Sequence, residues 1–294
     1  MRLWPRLVKL NNGCKILDKA ALHILIRSFL AEDVGRGDLT SESIFHPQDM
    51  GRARIVAREP FVVAGCEAVA AEVFRVQNPA IKIENLLADG TKVAAGDQLL
   101  TVSGPVIDLL KAERVALNLL QRLSGIATLT ARFVTEVQAY PVRITDTRKT
   151  TPGLRLLEKY AVRVGGGYNH RFNLADGILV KDNHIEACGS ITKAVALLRR
   201  TIPHTLRIEV ETDTLEQVSE CLACGVDIIM LDNMDLATMQ EAVRLIDHQA
   251  LVEASGGVTL ETVLAAAQSG VDIISIGALT HSAGSCDIGM DWLS

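Results

Sequence analysis

Residues able to do chemistry crowd one part of this chain. Between Arg143 and His184 stand eight lysines and arginines (Arg143, Arg148, Lys149, Arg155, Lys159, Arg163, Arg171 and Lys181) against four acids. The local charge is +4 in a chain whose formal charge is −5. Guanidinium groups grip carboxylates and phosphates through paired hydrogen bonds, and cations gathered in a low-dielectric mouth suit a polyanionic ligand. Arg148, Lys149 and Lys181 follow apolar runs, and Arg171 follows His170 soon after Gly165-Gly166-Gly167. Arg155, Lys159 and Arg163 instead recur at helical spacing and read as a solvated helix face.

Two glycine-bearing segments, Ser255-Gly256-Gly257 and Gly277-Ala278, also end apolar runs. Glycines there would let backbone N–H groups approach an anion where a helix opens. Glu211 and Asp232 end two further runs, where carboxylates could hold sugar hydroxyls, coordinate Mg²⁺ or oppose a developing positive charge. Glu209 shares a face with Glu211, so the pleat alone leaves the choice between them open. A cationic pocket, a phosphate-binding end and paired carboxylates together suggest a phosphorylated sugar meeting an anionic acceptor.

Such residues need elements to converge them. Apolar runs at 142–147, 176–181, 206–211, 227–232, 250–255 and 272–277 each end in a polar residue or glycine and alternate with helix-like segments; the last four begin 21, 23 and 22 residues apart. Alternating β and α predicts a parallel sheet. Asp146, Arg148, Lys149, Lys181, Glu211, Asp232, Ser255 and Gly277 then fall at strand carboxyl ends, which a barrel brings to one mouth. Six strands are fewer than eight, so the expectation is an incomplete (β/α) barrel. Ahead of it come a helix near Lys15 to Ala31, the loop EDVGRGDLTS, strand-like GRARIVAREPFVVAG and a helix near Cys66 to Val76. A β-hairpin follows with Gly90, Gly96 and Gly104 as turns, then a long helix interrupted near Ser124-Gly125 that links the two units. The boundaries expected are 1–126 for an N-terminal α/β unit, 127–284 for the barrel and 285–294 for a tail packing back on the first unit.

Composition narrows the function. Of 294 residues 48% are hydrophobic and 22% charged, as in an ordered globular chain, and aromatics are only 4%, so the core rests on aliphatic side chains. The acidic balance argues against nucleic acid or an anionic membrane surface as partner. The longest run without Asp, Glu, Lys or Arg, Ile273 to Cys286, has 14 residues, too few to span a bilayer. With no apolar signal segment, a cytoplasmic location is expected. Cys221 and Cys224 form a lone CxxC at helical spacing, which reads as packing, since no second pair completes a zinc tetrad.

Long segments in one order carry a more specific signal: EDVGRGDLTS (32–41), AERVALNLLQRLSGIAT (112–128), DTRKTTPGLR (146–155), KYAVRVGGGYNHRFNLADGILVKDNHI (159–185), IEVE (208–211), LDN (231–233), EASGG (253–257) and SIGAL (275–279). Through them the chain resembles the quinolinate phosphoribosyltransferases over nearly its full length. The resemblance implies an N-terminal α/β sandwich followed by an incomplete α/β barrel. It also implies a homodimer in which one subunit's N-terminal domain closes the other's barrel mouth, some members forming larger assemblies. The substrates implied are quinolinate and 5-phosphoribosyl 1-diphosphate with Mg²⁺, and the products nicotinate mononucleotide, diphosphate and CO₂, a step of de novo NAD biosynthesis.

By the same resemblance Arg114 would reach into the partner's site, and Thr147, Arg148, Lys149, His170, Arg171 and Lys181 would surround the carboxylates and diphosphate. Glu211 and Asp232 would hold the ribose hydroxyls and metal. Ser255, Gly256, Gly257, Ile276, Gly277 and Ala278 would bind the 5′-phosphate. Lys149, Lys181, Glu211 and Asp232 would stand nearest the chemistry. Two other readings of the residues are a lyase using Lys181 as a Schiff base and a ligand-binding regulator.

Overall fold

A computed structural model of the chain describes residues 17–293; Cys14 and the expected helix start at Lys15 lie outside them. The elements run α1 (Lys19–Val34), α2 (Leu39–Ile44), β1 (Met50–Ala57), β2 (Phe61–Val62), a π-helical turn (Cys66–Ala70), α3 (Ala71–Gln77), β3 (Lys82–Glu84), β4 (Lys92–Val93), β5 (Gln98–Pro105) and α4 (Val106–Glu136). Then come β6 (Arg143–Thr145), α5 (Arg155–Val164), β7 (Ile178–Val180), α6 (Asp182–Cys188), α7 (Ile191–Thr201), β8 (Ile208–Thr212), α8 (Leu215–Cys224), β9 (Ile228–Asp232), α9 (Leu236–Ile246), β10 (Leu251–Ser255), α10 (Val263–Gln268), β11 (Ile273–Ser275), α11 (Ala278–His281) and β12 (Ile288–Trp292).

The N-terminal unit is a four-stranded antiparallel sheet in the order β12-β1-β5-β3, with β2 and β4 as a separate ribbon. Its outer strand comes from the far end of the sequence: β12 pairs with β1, Trp292 opposite Ala53 and Ile288 opposite Ala57. The expected hairpin is divided between two sheets, because β4 joins β2 whereas β5 joins β1 and β3. Gly90 and Gly96 turn the chain at φ +89° and +94°, but Gly104 lies inside β5, where a Cβ would meet Ile81 Cγ1 at 2.9 Å.

Six parallel strands make the second unit, in the order β6-β11-β10-β9-β8-β7. The first strand pairs with the last, Ile144 opposite Ile274, so the order is that of a barrel cut once, between β6 and β7. The six predicted runs are these six strands, and the incomplete barrel beside an antiparallel sheet is the architecture found. Into the cut drops the segment after α5: Tyr168 makes an isolated parallel bridge to Thr145. Its ring is flanked by Arg143 and Arg163 at 4.6 and 4.7 Å from the centroid, a cation–π stack.

One expectation fails at α4. Ser124-Gly125 was to interrupt this helix, yet it runs 31 residues unbroken across the expected 126/127 boundary. Both residues are fully buried, and their small size serves packing. The Ser124 hydroxyl accepts the Ala64 amide at 3.1 Å, and a Cβ on Gly125 would stand 1.8 Å from the Gly284 carbonyl oxygen. The triple glycine has a similar reason: a Cβ on Gly165 would lie 2.5 Å from the Ala127 carbonyl and one on Gly167 2.8 Å from Thr130 Cγ2. Backbone cannot yield as a side chain can, so Gly125→Ala is expected to cost about 2 kcal/mol or more despite alanine's better helix propensity. A denaturation midpoint at or above that of the parent chain would contradict this packing.

Candidate active site

Around the carboxyl ends of the strands the side chains follow the sheet order. Asp146, Thr147, Arg148 and Lys149 follow β6; Ile276, Gly277 and Ala278 follow β11; Ser255 ends β10, with Gly256 and Gly257 after it; Asp232 ends β9; Glu211 lies one residue before the end of β8; and Lys181 follows β7. Cations therefore flank the row, and between them come first the glycine ends of β11 and β10 and then the carboxylates of β9 and β8. The cut places its own segment, His170 and Arg171, against the centre.

The loop after β6 is fixed from beneath. Asp146, fully buried, pairs with Lys159 Nζ of α5 and accepts Asn169 Nδ2 at 2.6 Å and the His170 amide at 2.9 Å. Lys159, expected on a solvated helix face, has no exposed surface and also donates to the His170 carbonyl at 2.9 Å. Burial pushes Asp146 up and Lys159 down, each toward its neutral form, and their pairing opposes it. Arg155 donates to Thr150 Oγ1 at 2.9 Å and to the Phe172 carbonyl at 3.0 Å, tying the two cationic loops together. From α4, Arg122 reaches Glu158 at 2.9 Å and the Ala283 carbonyl at 2.7 Å. Glu158 in turn receives the Thr151 amide at 3.0 Å.

Each remaining candidate has a defined setting. Lys149 is exposed, but its stem packs where a Cβ on Gly277 would be 3.0 Å from its Cδ, so β6 and β11 bring cation and glycine together. Arg148 has a buried Nε with no hydrogen-bond partner, and Arg171 donates to the Gly177 carbonyl at 2.8 Å. Burial first, then the charge of Arg148, holds Arg171 below the ordinary arginine range. Lys181 forms an ion pair with Glu211, and its amide donates to His184 Nδ1 at 3.0 Å, so His184 of the KDNH run orients it. Asp232 accepts Asn233 Nδ2 at 2.7 Å. Gly256, φ +92°, lies so near Asn233 that a Cβ would fall 2.8 Å from its backbone nitrogen. No helix opens at the Ser255–Gly257 glycines, contrary to expectation, since α10 begins at Val263; Gly277, by contrast, leads directly into α11. Arg114 is exposed on α4. The cysteines of the CxxC lie on α8, where burial pushes Cys221 up to about 12 and leaves it a thiol.

Two acids form a layer below this rim. His170 Nε2 is 3.2 Å from Glu209 and 3.7 Å from Glu253, both almost fully buried mid-strand on β8 and β10. Glu253 does not end its strand, so the strand-end pattern does not single it out, although an acid within the apolar run ALVEAS is a visible signal. Its carboxyl is pushed up to about 8, first by burial and then by the charge of Glu209. A carboxyl raised from 4.5 binds a proton on folding, so it contributes stability at low pH that is lost as pH climbs toward about 8. Glu253→Gln, which cannot titrate, is therefore expected to flatten the fall in melting temperature between pH 5 and 8 by about 3 °C or more. Superimposable profiles would place an ionised Glu253 in the native state.

The fold that carries this site recurs in known proteins. The model of the quinolinate phosphoribosyl transferase N-terminal domain matches residues 38–124, and that of the C-terminal domain matches 126–291. A probable nicotinate-nucleotide pyrophosphorylase (carboxylating) of Bacillus subtilis is 48% identical over 91% of this chain and 92% of its own. The Mycobacterium leprae nicotinate-nucleotide pyrophosphorylase (carboxylating) is 44% identical over 90% and 95%. The crystal structure of NadC from Streptococcus pyogenes superposes with a TM-score of 0.90 at 42% identity, covering 95% of this chain and 99% of that one. With both domain models matched in order and relatives of this identity spanning nearly the whole length, the chain belongs to the quinolinate phosphoribosyl transferase family.

Proposed function

We infer that the chain transfers the phosphoribosyl group of 5-phosphoribosyl 1-diphosphate to quinolinate with loss of CO₂, giving nicotinate mononucleotide and diphosphate in NAD biosynthesis. One observation carries the choice of acceptor: Arg148 and Arg171 repel one another at the cut, with a buried guanidinium nitrogen of Arg148 unpartnered. A small dianion satisfies both, and a ring with two adjacent carboxylates supplies it. Lys149 and Lys181 complete the cationic wall, with Thr147 and His170 beside them, while the ends of β10 and β11 receive the 5′-phosphate.

The chain's work is orientation and charge placement. The ring nitrogen of quinolinate donates its lone pair to the anomeric carbon as the C–O bond to diphosphate breaks and that electron pair leaves with the diphosphate. Positive charge gathers on the ribose, and Glu211 and Asp232 oppose it. The quaternised ring then accepts the electron pair of the breaking bond to the adjacent carboxylate; CO₂ departs and a solvent proton replaces it. Glu211 and Asp232, partly exposed hard oxygen donors on neighbouring strands, fit Mg²⁺, which takes one or two carboxylates and keeps several waters. A bound ion would neutralise diphosphate charge there.

Incubation with quinolinate, phosphoribosyl diphosphate and Mg²⁺ should release CO₂ and diphosphate together, and nicotinate in place of quinolinate should not support turnover. Arg148→Ala should weaken quinolinate recognition by about 2–5 kcal/mol, the scale for truncating one partner of a buried charge pair; near-normal quinolinate kinetics would take Arg148 out of the pocket. The exposed Arg114 suits a homodimer in which it completes the partner's site. Mixing Arg114→Ala and Lys181→Ala chains should then restore activity that neither has alone, and a mixture as inert as its parts would place each site within one chain. Among the described residues no helix is long and apolar enough to cross a membrane, which agrees with action in an aqueous compartment, the cytoplasm being the one we propose.

A further inference from the structure

His170 is engaged at both ring nitrogens by its own chain. Nδ1 accepts the Arg171 amide at 2.8 Å, which fixes the proton of the neutral ring on Nε2. That N–H faces Glu209 at 3.2 Å and Glu253 at 3.7 Å. The backbone of His170 is held as firmly, its amide by Asp146 at 2.9 Å and its carbonyl by Lys159 at 2.9 Å. Glu209 Oε1 and Glu253 Oε1 are buried without a hydrogen-bond partner, the latter being the Glu253 oxygen that faces His170. We propose that Glu209, backed by the buried Glu253, is a positioning residue: it holds His170 by its Nε2–H at the barrel floor, and His170 in turn sets Arg171, rather than offering a ring nitrogen to the substrate.

The proposal rests on the pocket assigned above, and two other uses of the cluster fit the geometry less well. His170, Glu209 and Glu253 could in principle hold a metal ion, since their ligand atoms lie within 4.8 Å of one another. A cation at Nε2 would displace the proton to Nδ1, directly against the Arg171 N–H, leaving two donors face to face. A carboxylate ligand of quinolinate at His170 would need a free N–H at the ring, and Nδ1 has none while Nε2 is directed into the protein. Holding Arg171 is a demanding task, because burial and Arg148 both disfavour its charge where it stands, and Glu209 also lies near enough to favour that charge. The floor thus sets the arginine through a rigid imidazole as well as through charge.

Multiple-bond ¹H–¹⁵N correlation on the full chain reads the tautomer directly. The Nε2–H form is expected without ligand and with saturating quinolinate; a protonated Nδ1, or an Nε2 whose signal moves on adding quinolinate or Zn²⁺ alone, overturns the proposal. Kinetics supply a second reading. His170→Gln and Glu209→Gln should each raise KM for quinolinate about tenfold or more, the range for residues that orient a ligand-binding group, with KM for phosphoribosyl diphosphate unmoved. Because the two act as one unit, the double variant should be no worse than the poorer single one. Multiplied effects would show that His170 meets substrate independently of Glu209. The parent chain's turnover of quinolinate tests the pocket itself, and the free-protein tautomer is readable whether or not turnover occurs.

Discussion

Asp146 gathers three donors inside the cut of the barrel: the ammonium of Lys159, the side-chain amide of Asn169 and the backbone amide of His170. An ion pair with no exposed surface contributes little net stability, since both ions give up hydration. Its value lies in direction. The carboxylate follows β6, the lysine belongs to α5 and the amides to the segment filling the cut, so one group fixes three parts of the chain that no strand ladder joins. Arg148 and Arg171 stand two residues beyond and one residue beyond these anchored points, and repulsion between them is sustained because the backbone on either side cannot retreat.

Around this anchor the charges are sorted by strand. Neighbours in the sheet are about 4.8 Å apart, so residues at successive strand ends form an arc with fixed spacing. Lys149 and Lys181 lie toward its two ends, Asp232 and Glu211 between, and the glycine-bearing ends of β10 and β11 complete it. An anionic acceptor and a phosphorylated sugar are thereby separated and faced toward each other without any nucleophile supplied by the chain. The two layers differ in character. The rim is polar and partly open, whereas Glu209 and Glu253 belong to a floor sealed from water.

Much of this was legible in the residues. The six apolar runs are the six barrel strands, because a strand buried on both faces needs uninterrupted aliphatic side chains. The polar residue closing each run reached the mouth as expected. What escaped was set by partners distant in sequence. Lys159 reads as one more cation on a helix until the segment of the cut folds over it; Ser124-Gly125 reads as a break until Gly284 arrives against it; β4 and β5 read as one hairpin until β2 claims the first. Glu209 and Glu253 were visible as acids inside apolar runs, and only the curvature that brings His170 between β8 and β10 assigns them together.

The pairing of β12 with β1 bears on the order in which the molecule is made. Strand β1 emerges from the ribosome with one edge matched to β5 and the other bare, and its remaining partner is more than 200 residues away. At typical elongation rates the wait is on the order of tens of seconds. An open edge is a template for pairing with other chains, and alternate basic residues, Arg52 and Arg54, stud this one. Charge of this kind disfavours pairing with a like edge until the last strand returns to close the sheet that began it.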